Sequence, residues 1–237
     1  MNIYVWVTMV DTAWIYHNSW EWLISFSSDW TTWYTIADKN LWATSTDITS
    51  SDSYWNYYQR WNNYWFVYWW SPTTSSSTVN ASTYWPWNYY SSSTFRTVNR
   101  WDSSNNTNLW WETTNTNAAR RWPCEEWWHI PSSADSAIIR ASFWGLSGSN
   151  FSQYFKIPLA WIRNWSDWTY SYIWTRGCLW TSYSNVGEYW MSASLIFVND
   201  SSISSTAYVP SFALPIRPFK NEPVQPDSSR TVLYQPS

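Results

Sequence analysis

The sequence predicts an α+β fold that is rich in β-strand, with one or two short helices and long irregular loops. Three observations carry this. Beyond residue 154 the runs FKIPLAWI, YSYIWT, EYWMSAS, SLIFVN and SFALPIRPF each have strand length and are set apart by Asn, Asp, Ser or Gly. The clearest helix start is Ser132-Ser133-Ala134-Asp135 ahead of the periodic SAIIRASF. The stretches 45–53 and 71–93 are rich in Ser, Thr, Asn, Tyr and Pro without any period, which reads as long loops or disorder.

Taken in chain order, residues 2–10 alternate like a strand and 22–26, WLISF, form another. Asp11 and the His17-Asn18-Ser19 group supply turn chemistry between them. Residues 1–27 therefore read as an N-terminal β segment, the end of an element that belongs to an upstream domain. The start MNIYVWVTMV lacks the basic region and small-residue cleavage site of a signal peptide. Either export is signalled elsewhere or this is the C-terminal piece of a longer chain. The main domain occupies 28–222. Within it a short helix is expected near 133–144, because the Ser132 hydroxyl can accept from the Asp135 amide while the Asp135 carboxylate reaches back, as in a capping box. The tail from 223 to 237 is Pro-rich and reads as a terminal extension or linker. No solenoid-type repeat is visible.

Composition narrows the function classes. The 237 residues include 27 Trp, 18 Tyr and 9 Phe but only 4 Gly, whereas average usage would give roughly 17 glycines. Charged residues make up 12% of the chain, about half of the ordinary share. A surface built from Ser, Thr, Asn and Tyr suits a cell-surface or secreted protein. With 13 Lys+Arg against 16 Asp+Glu and no basic stripe, the footprint of phosphate neutralisation is missing and nucleic acid is not an expected partner. No run approaches the ~18 consecutive apolar residues of a membrane helix, so no transmembrane segment is expected.

The most reactive-looking cluster is Cys124-Glu125-Glu126-Trp127-Trp128-His129. Its spacing lacks the paired Cys or His of a zinc site, and the only other histidine is His17, so no metal is expected. A Cys–His dyad needs an orienting group as well. A buried or bridged Cys124 and a turn histidine before Pro131 is the simpler reading. Cys124 and Cys178 permit one disulfide, which a count of two does not decide. Glu112, Asp167, Glu188 and Asp200 offer carboxylate pairs whose meaning depends on their separation in space. No Gly-rich phosphate loop, G-x-S-x-G or H-E-x-x-H occurs, and no cofactor is implied. The pairs Trp69-Trp70, Trp110-Trp111 and Trp127-Trp128 are candidate stacking platforms for sugars or bases.

Six phrases occur in order that resemble one family: YTIADKNLWATS (34–45), YYQRWNNYWF (57–66), VNASTYWPWNYYSSSTF (79–95), NLWWETTNTNAARRWPCEEWWHIPSS (108–133), EYWMSAS (188–194) and PIRPFKNEPV (215–224). They resemble the Fibrobacter succinogenes major paralogous domain, a bacterial surface module similar to C-type-lectin-like domains. Corresponding family phrases read ADKNLGAT, GNNYGF, YWPGNYY, GPC-x-x-GWH, YWSS and VRPFKN. The resemblance implies a C-type-lectin-like fold and no catalytic set. Related folds include formylglycine-generating enzymes, but their paired active-site cysteines cannot be placed on Cys124 and Cys178.

Aligned on those phrases, Trp42, Trp61, Trp65, Trp87, Trp111, Trp122 and Trp127 fall on family glycines, while Trp85, Trp110, Trp128 and Trp190 fall on family aromatics. Turn chemistry points the same way at Ser28-Asp29-Trp30-Thr31, where Asp-Gly is the ordinary pair. The pattern suggests the hypothesis that the source bacterium reads UGA as glycine and that the codon is written here as tryptophan, which the codons themselves would test. The function expected from the resemblance is a non-enzymatic cell-surface or secreted binding module, displaying long polar loops to an unknown surface ligand, protein or glycan. The alternatives are a carbohydrate-binding domain acting through Trp85, Tyr89, Tyr90 or Trp190, and a purely structural domain of a large envelope protein.

Overall fold

The computed structural model describes residues 3–18, 22–54, 56–59, 65–67, 73–75, 88–90, 123–159, 162–163, 169–171, 176–184, 192–198, 203–208, 212–221 and 230–235. The described residues have mixed α+β structure, with four sheets and two α-helices. β1 (Ile3–Val10) and β2 (Ala13–Asn18) form a hairpin closed at Asp11-Thr12, so the His17-Asn18 pair that reads as turn is the end of a strand. β3 (Leu23–Ser27) and β4 (Tyr34–Ala37) follow, then a 3-10 turn at Ser51–Ser53 inside the first long polar stretch. The middle of the chain holds β5 (Asn56–Gln59), β6 (Trp65–Val67), β7 (Thr73–Ser75), β8 (Asn88–Tyr90) and β9 (Trp128–His129).

Helix α1 (Ser133–Ser142) begins where the sequence predicts. Ser132 Oγ accepts from the Asp135 amide and the Asp135 carboxylate accepts from the Ser132 amide, which satisfies two of the free N–H groups of the first turn. A second helix, α2 (Gly148–Tyr154), is capped by Ser147. The strands β10 (Ile162–Arg163), β11 (Tyr170–Ser171), β12 (Arg176–Ser184), β13 (Ser192–Val198), β14 (Ser204–Tyr208), β15 (Ala213–Leu214), β16 (Phe219–Lys220) and β17 (Arg230–Gln235) complete the described chain.

The largest sheet has the order β17-β1-β2-β3-β4-β16-β9, with only the β1/β17 pair parallel. β17 lies in the tail that its prolines mark as an extension. Between Pro226 and Pro236 the run RTVLYQ is proline-free and rich in strand formers, and it pairs with β1 from Ile3↔Arg230 to Thr8↔Gln235. A boundary at residue 27 would likewise cut through this sheet. Val10, Ala13, Ile15, Ile24 and Phe26 share one core with Ile139 and Phe143 of the helical stretch. That core centres on phenylalanine: Phe26 meets Phe143 at 5.5 Å, Phe155 at 5.7 Å and Phe219 at 6.4 Å between ring centroids, all near edge-to-face. Each such pair adds about 0.5–1.5 kcal/mol beyond its burial.

A five-stranded sheet, β11-β10-β15-β5-β6, and a three-stranded one, β12-β13-β14, lie beside the first. Strand β12 joins the layers. Its residues from Gly177 to Ser182 are all buried, so they show no alternation in sequence. Leu179 enters the phenylalanine core, and the Trp180 indole N–H donates to the Tyr58 carbonyl of β5 at 2.7 Å.

The segment from Ala213 to Lys220 stitches these sheets together. β15 pairs with β5, and β16 pairs with β4 and β9. Between them Pro215 and Pro218 stop the ladder, and their carbonyls accept from the amides of Trp180 and Ala37, both at 3.0 Å. Arg217, with 0% exposure, lies at the centre. Its guanidinium donates to the carbonyls of Ala37 (2.9 Å), Phe155 (3.3 Å) and Lys156 (2.9 Å), and its Nε donates to Asn40 Oδ1 at 3.1 Å. Burial lowers its pKa to about 9, an effect that the Asp38 carboxylate opposes, so the group is charged at neutral pH.

Substitutions at Arg217 and at Gly145 test this frame. Arg217→Met takes the guanidinium donors from the Ala37, Phe155 and Lys156 carbonyls and from Asn40 Oδ1, and is expected to destabilise the fold by about 3–5 kcal/mol in urea unfolding. Arg217→Lys recovers only part, since a point ammonium cannot reproduce the fork. Gly145→Ala is a finer probe. The Gly145 amide donates to Asp11 Oδ2 at 2.8 Å, and a Cβ there would stand 2.6 Å from Asp11 Oδ1. The carboxylate must swing away and lose that bond, at a cost of about 1 kcal/mol that Asp11→Ala should already have removed.

Candidate functional site

Among the described residues, Cys124, Cys178 and His129, which look reactive in sequence, are buried within the fold. Cys124 is 3% exposed, and burial, reinforced by the Glu125 charge, pushes its thiol far above the ordinary range. A thiol kept protonated in this way is a poor nucleophile and a poor metal ligand. Cys178 is buried in β12, and no disulfide joins it to Cys124.

His129 on β9 is fixed from both sides. Nδ1 lies 2.9 Å from Asn221 Oδ1, and Nε2 lies 3.0 Å from Asp135 Oδ2. That carboxylate oxygen also accepts the Ser132 amide and hydroxyl, both at 2.7 Å. Burial pushes the Asp135 pKa up, but the bonds from His129 and Ser132 outweigh it and hold the carboxyl below its ordinary range. The network joins β9, the α1 cap and the residue after β16. Both ring nitrogens thus face a hydrogen-bond partner within the fold.

Of the other expected positions, Trp85 and Trp190 lie outside the described residues, as do Glu112, Asp167, Glu188 and Asp200. Tyr89 and Tyr90 belong to β8, opposite Thr74 and Ser75 of β7. Among the described residues no group of three or more His, Cys, Asp or Glu is arranged to hold a metal ion.

Among the described residues there is a cleft of about 200 Å³ whose lining includes Trp22, Lys39, Trp42, Glu125 and Trp128. Four separate segments line it: the approach to β3, the end of β4 with the loop after it, the stretch from Glu125 to Trp128, and Pro218 just before β16. Each is held by backbone bonds. The Asp38 amide donates to the Trp22 carbonyl (2.9 Å), Leu41 to Ile216 (2.8 Å), Trp128 to Glu125 (3.1 Å) and Asn221 to Trp127 (2.9 Å). Arg217 grips the same loop at Ala37 and Asn40, so the cleft rests on the buried guanidinium. The Lys39 ammonium sits 4.2 Å from the Trp22 ring centroid. Trp22, Trp42 and Trp127 are 50%, 51% and 66% exposed, whereas Trp128 is half-buried.

Of these residues, sequence reasoning singled out Trp127-Trp128 as a platform and missed the cleft itself. Lys39 and Glu125 are too far apart in the chain for any spacing rule to pair them. The only pointer was that ADKNLWAT, WPCEEWWH and PIRPFKN are all phrases of the family resemblance.

The His129–Asp135 network has a pH signature. A depressed folded pKa means that the Asp135 carboxylate stabilises fully above the unfolded value of about 3.9 and loses this as pH falls through the folded value. Asp135→Asn is therefore expected to lose about 1–3 kcal/mol near neutral pH. The gap between the two chains should shrink as pH falls below the unfolded value of about 3.9 and on through the lower folded value, and an unchanged gap in acid would refute the linkage.

No family model matches the chain, and no curated protein or solved structure matches it either.

Proposed function

We propose that this chain is a non-enzymatic binding module of a bacterial cell surface or the secreted space, built on a C-type-lectin-like scaffold, and that its ligand docks at the cleft beside Trp128. The observation that carries this reading is the convergence of four backbone-anchored segments on one cleft bearing an indole, a cation and a carboxylate. Fixed loops presenting mixed chemistry suit recognition. The reactive candidates support the same reading, since Cys124 is a buried, protonated thiol and both nitrogens of His129 are occupied. The sparsely charged surface agrees with extracellular exposure, and the ordered phrases of the resemblance agree with a surface module.

Carbohydrate is the ligand class that the lining favours. A pyranose offers an apolar face to an indole and a hydroxyl edge to Lys39 and Glu125. The test is a glycan array with the purified chain, followed by titration calorimetry of the hits. Trp128→Ala and Lys39→Ala are expected to weaken binding about fivefold each, near 1 kcal/mol, with circular dichroism unchanged. A silent array, or binding indifferent to both substitutions, would overturn the carbohydrate assignment.

A further inference from the structure

We infer that positions 22, 30, 42 and 127 are glycine in the protein as its own organism makes it, and that Trp128 is the cleft's native aromatic wall. The inference does not depend on the ligand. It begins with the backbone.

Six described residues other than glycine have positive φ, and four of them are Trp22 (57°), Trp30 (63°), Trp42 (64°) and Trp127 (68°). This left-handed region brings Cβ against the carbonyl, and a bulky side chain there is an outlier that glycine avoids entirely. The other two have local reasons. Asp11 is short and polar, and its carboxylate accepts the Gly145 amide. Lys156 is held at its carbonyl by Arg217 and at its ammonium by Asp38.

At the tryptophans the side chain makes contacts at the surface, with Lys39 on Trp22 and with Trp14 and Trp33 on Trp30, while at three of the four the backbone carbonyl bears a hydrogen bond that does not depend on the side chain. The carbonyls of Trp22, Trp30 and Trp127 accept from the Asp38 amide, the Trp33 indole and the Asn221 amide, a role that glycine fills equally well. All four side chains are between 41% and 66% exposed. Trp33 and Trp180 are the opposite case. They are 1% and 0% exposed, their indole N–H groups donate to the carbonyls of Trp30 and Tyr58, and neither has positive φ. Trp144 is exposed but lacks positive φ, so it is not among the four.

Among the described tryptophans, the four at positive φ are all exposed, whereas the fully buried Trp33 and Trp180 have ordinary backbone angles. A chain with 27 Trp and 4 Gly in which Trp occupies glycine conformations is what results when two codons are written as one residue. UGG would encode the buried indoles. UGA, read by the source as glycine, would encode the four left-handed positions. Without Trp22 and Trp42 the cleft keeps Trp128, Lys39 and Glu125, and Lys39 is released from the ring that holds it.

Sequencing the gene tests this directly. UGA is expected at codons 22, 30, 42 and 127 and UGG at codons 33 and 180; UGG at any of the four, or UGA at 33 or 180, overturns it. At the protein level, W22G/W42G/W127G in the full chain is expected to raise the folded-to-unfolded ratio about threefold per site, whereas W33G and W180G lower it. A triple variant no more stable than the chain as written counts against the inference. A silent glycan array leaves these outcomes untouched, and UGG codons leave the array result untouched, so the two readings fail separately.

Discussion

A guanidinium with no exposed surface is tolerable only when its donors find acceptors, and that requirement organises this molecule around Arg217. The acceptors come from two places distant in sequence. Ala37 ends β4 and Asn40 follows it, and Phe155 and Lys156 follow α2. Because three of the four are main-chain carbonyls, the arginine sets backbone paths. The loop after β4 is the one that carries Lys39 and Trp42 to the cleft, so core electrostatics and the recognition surface are parts of one construction.

The same economy appears at the helices. The β1–β2 turn reaches the end of α1 through the Thr12 hydroxyl on the Ser142 carbonyl and through Asp11 on the Gly145 amide. The other end of α1 is tied to β9 by His129 and Asp135. A helix of 10 residues is marginal by itself, and here polar bonds at both ends add to the packing of Ile139 and Phe143. Such bonds restrict how the helix can slide, which hydrophobic packing alone does poorly.

Legibility in the sequence followed the range of each interaction. The capping box of α1 was readable because its partners are three residues apart, and the β-rich class was readable from runs bounded by turn residues. Strand β12 was missed because burial on both faces erases alternation. β17 was missed because prolines on either side coloured a six-residue run. Arg217 was visible only as part of PIRPFKN. Nothing in one sequence says that its acceptors lie at 37, 40, 155 and 156, because carbonyl oxygens carry no residue-specific signal. The cleft escaped for the same reason.

The left-handed tryptophans need a cause other than tryptophan, and the turn at Asp29 supplies one. Asp29 Oδ1 accepts the amides of Thr31 at 2.8 Å and Thr32 at 2.7 Å and also the Ser27 hydroxyl, and these bonds hold its carboxyl well below the usual range. Drawing two successive amides onto one oxygen bends the chain tightly, and residue 30 must take positive φ to close the bend. The conformation is therefore selected by Asp29 and by the pairing of β3 with β4 on either side, whatever side chain stands at 30. That makes backbone angle a better witness to residue identity than aromatic count. The share of 23% aromatic residues describes what is written, while the φ values describe what the turns require.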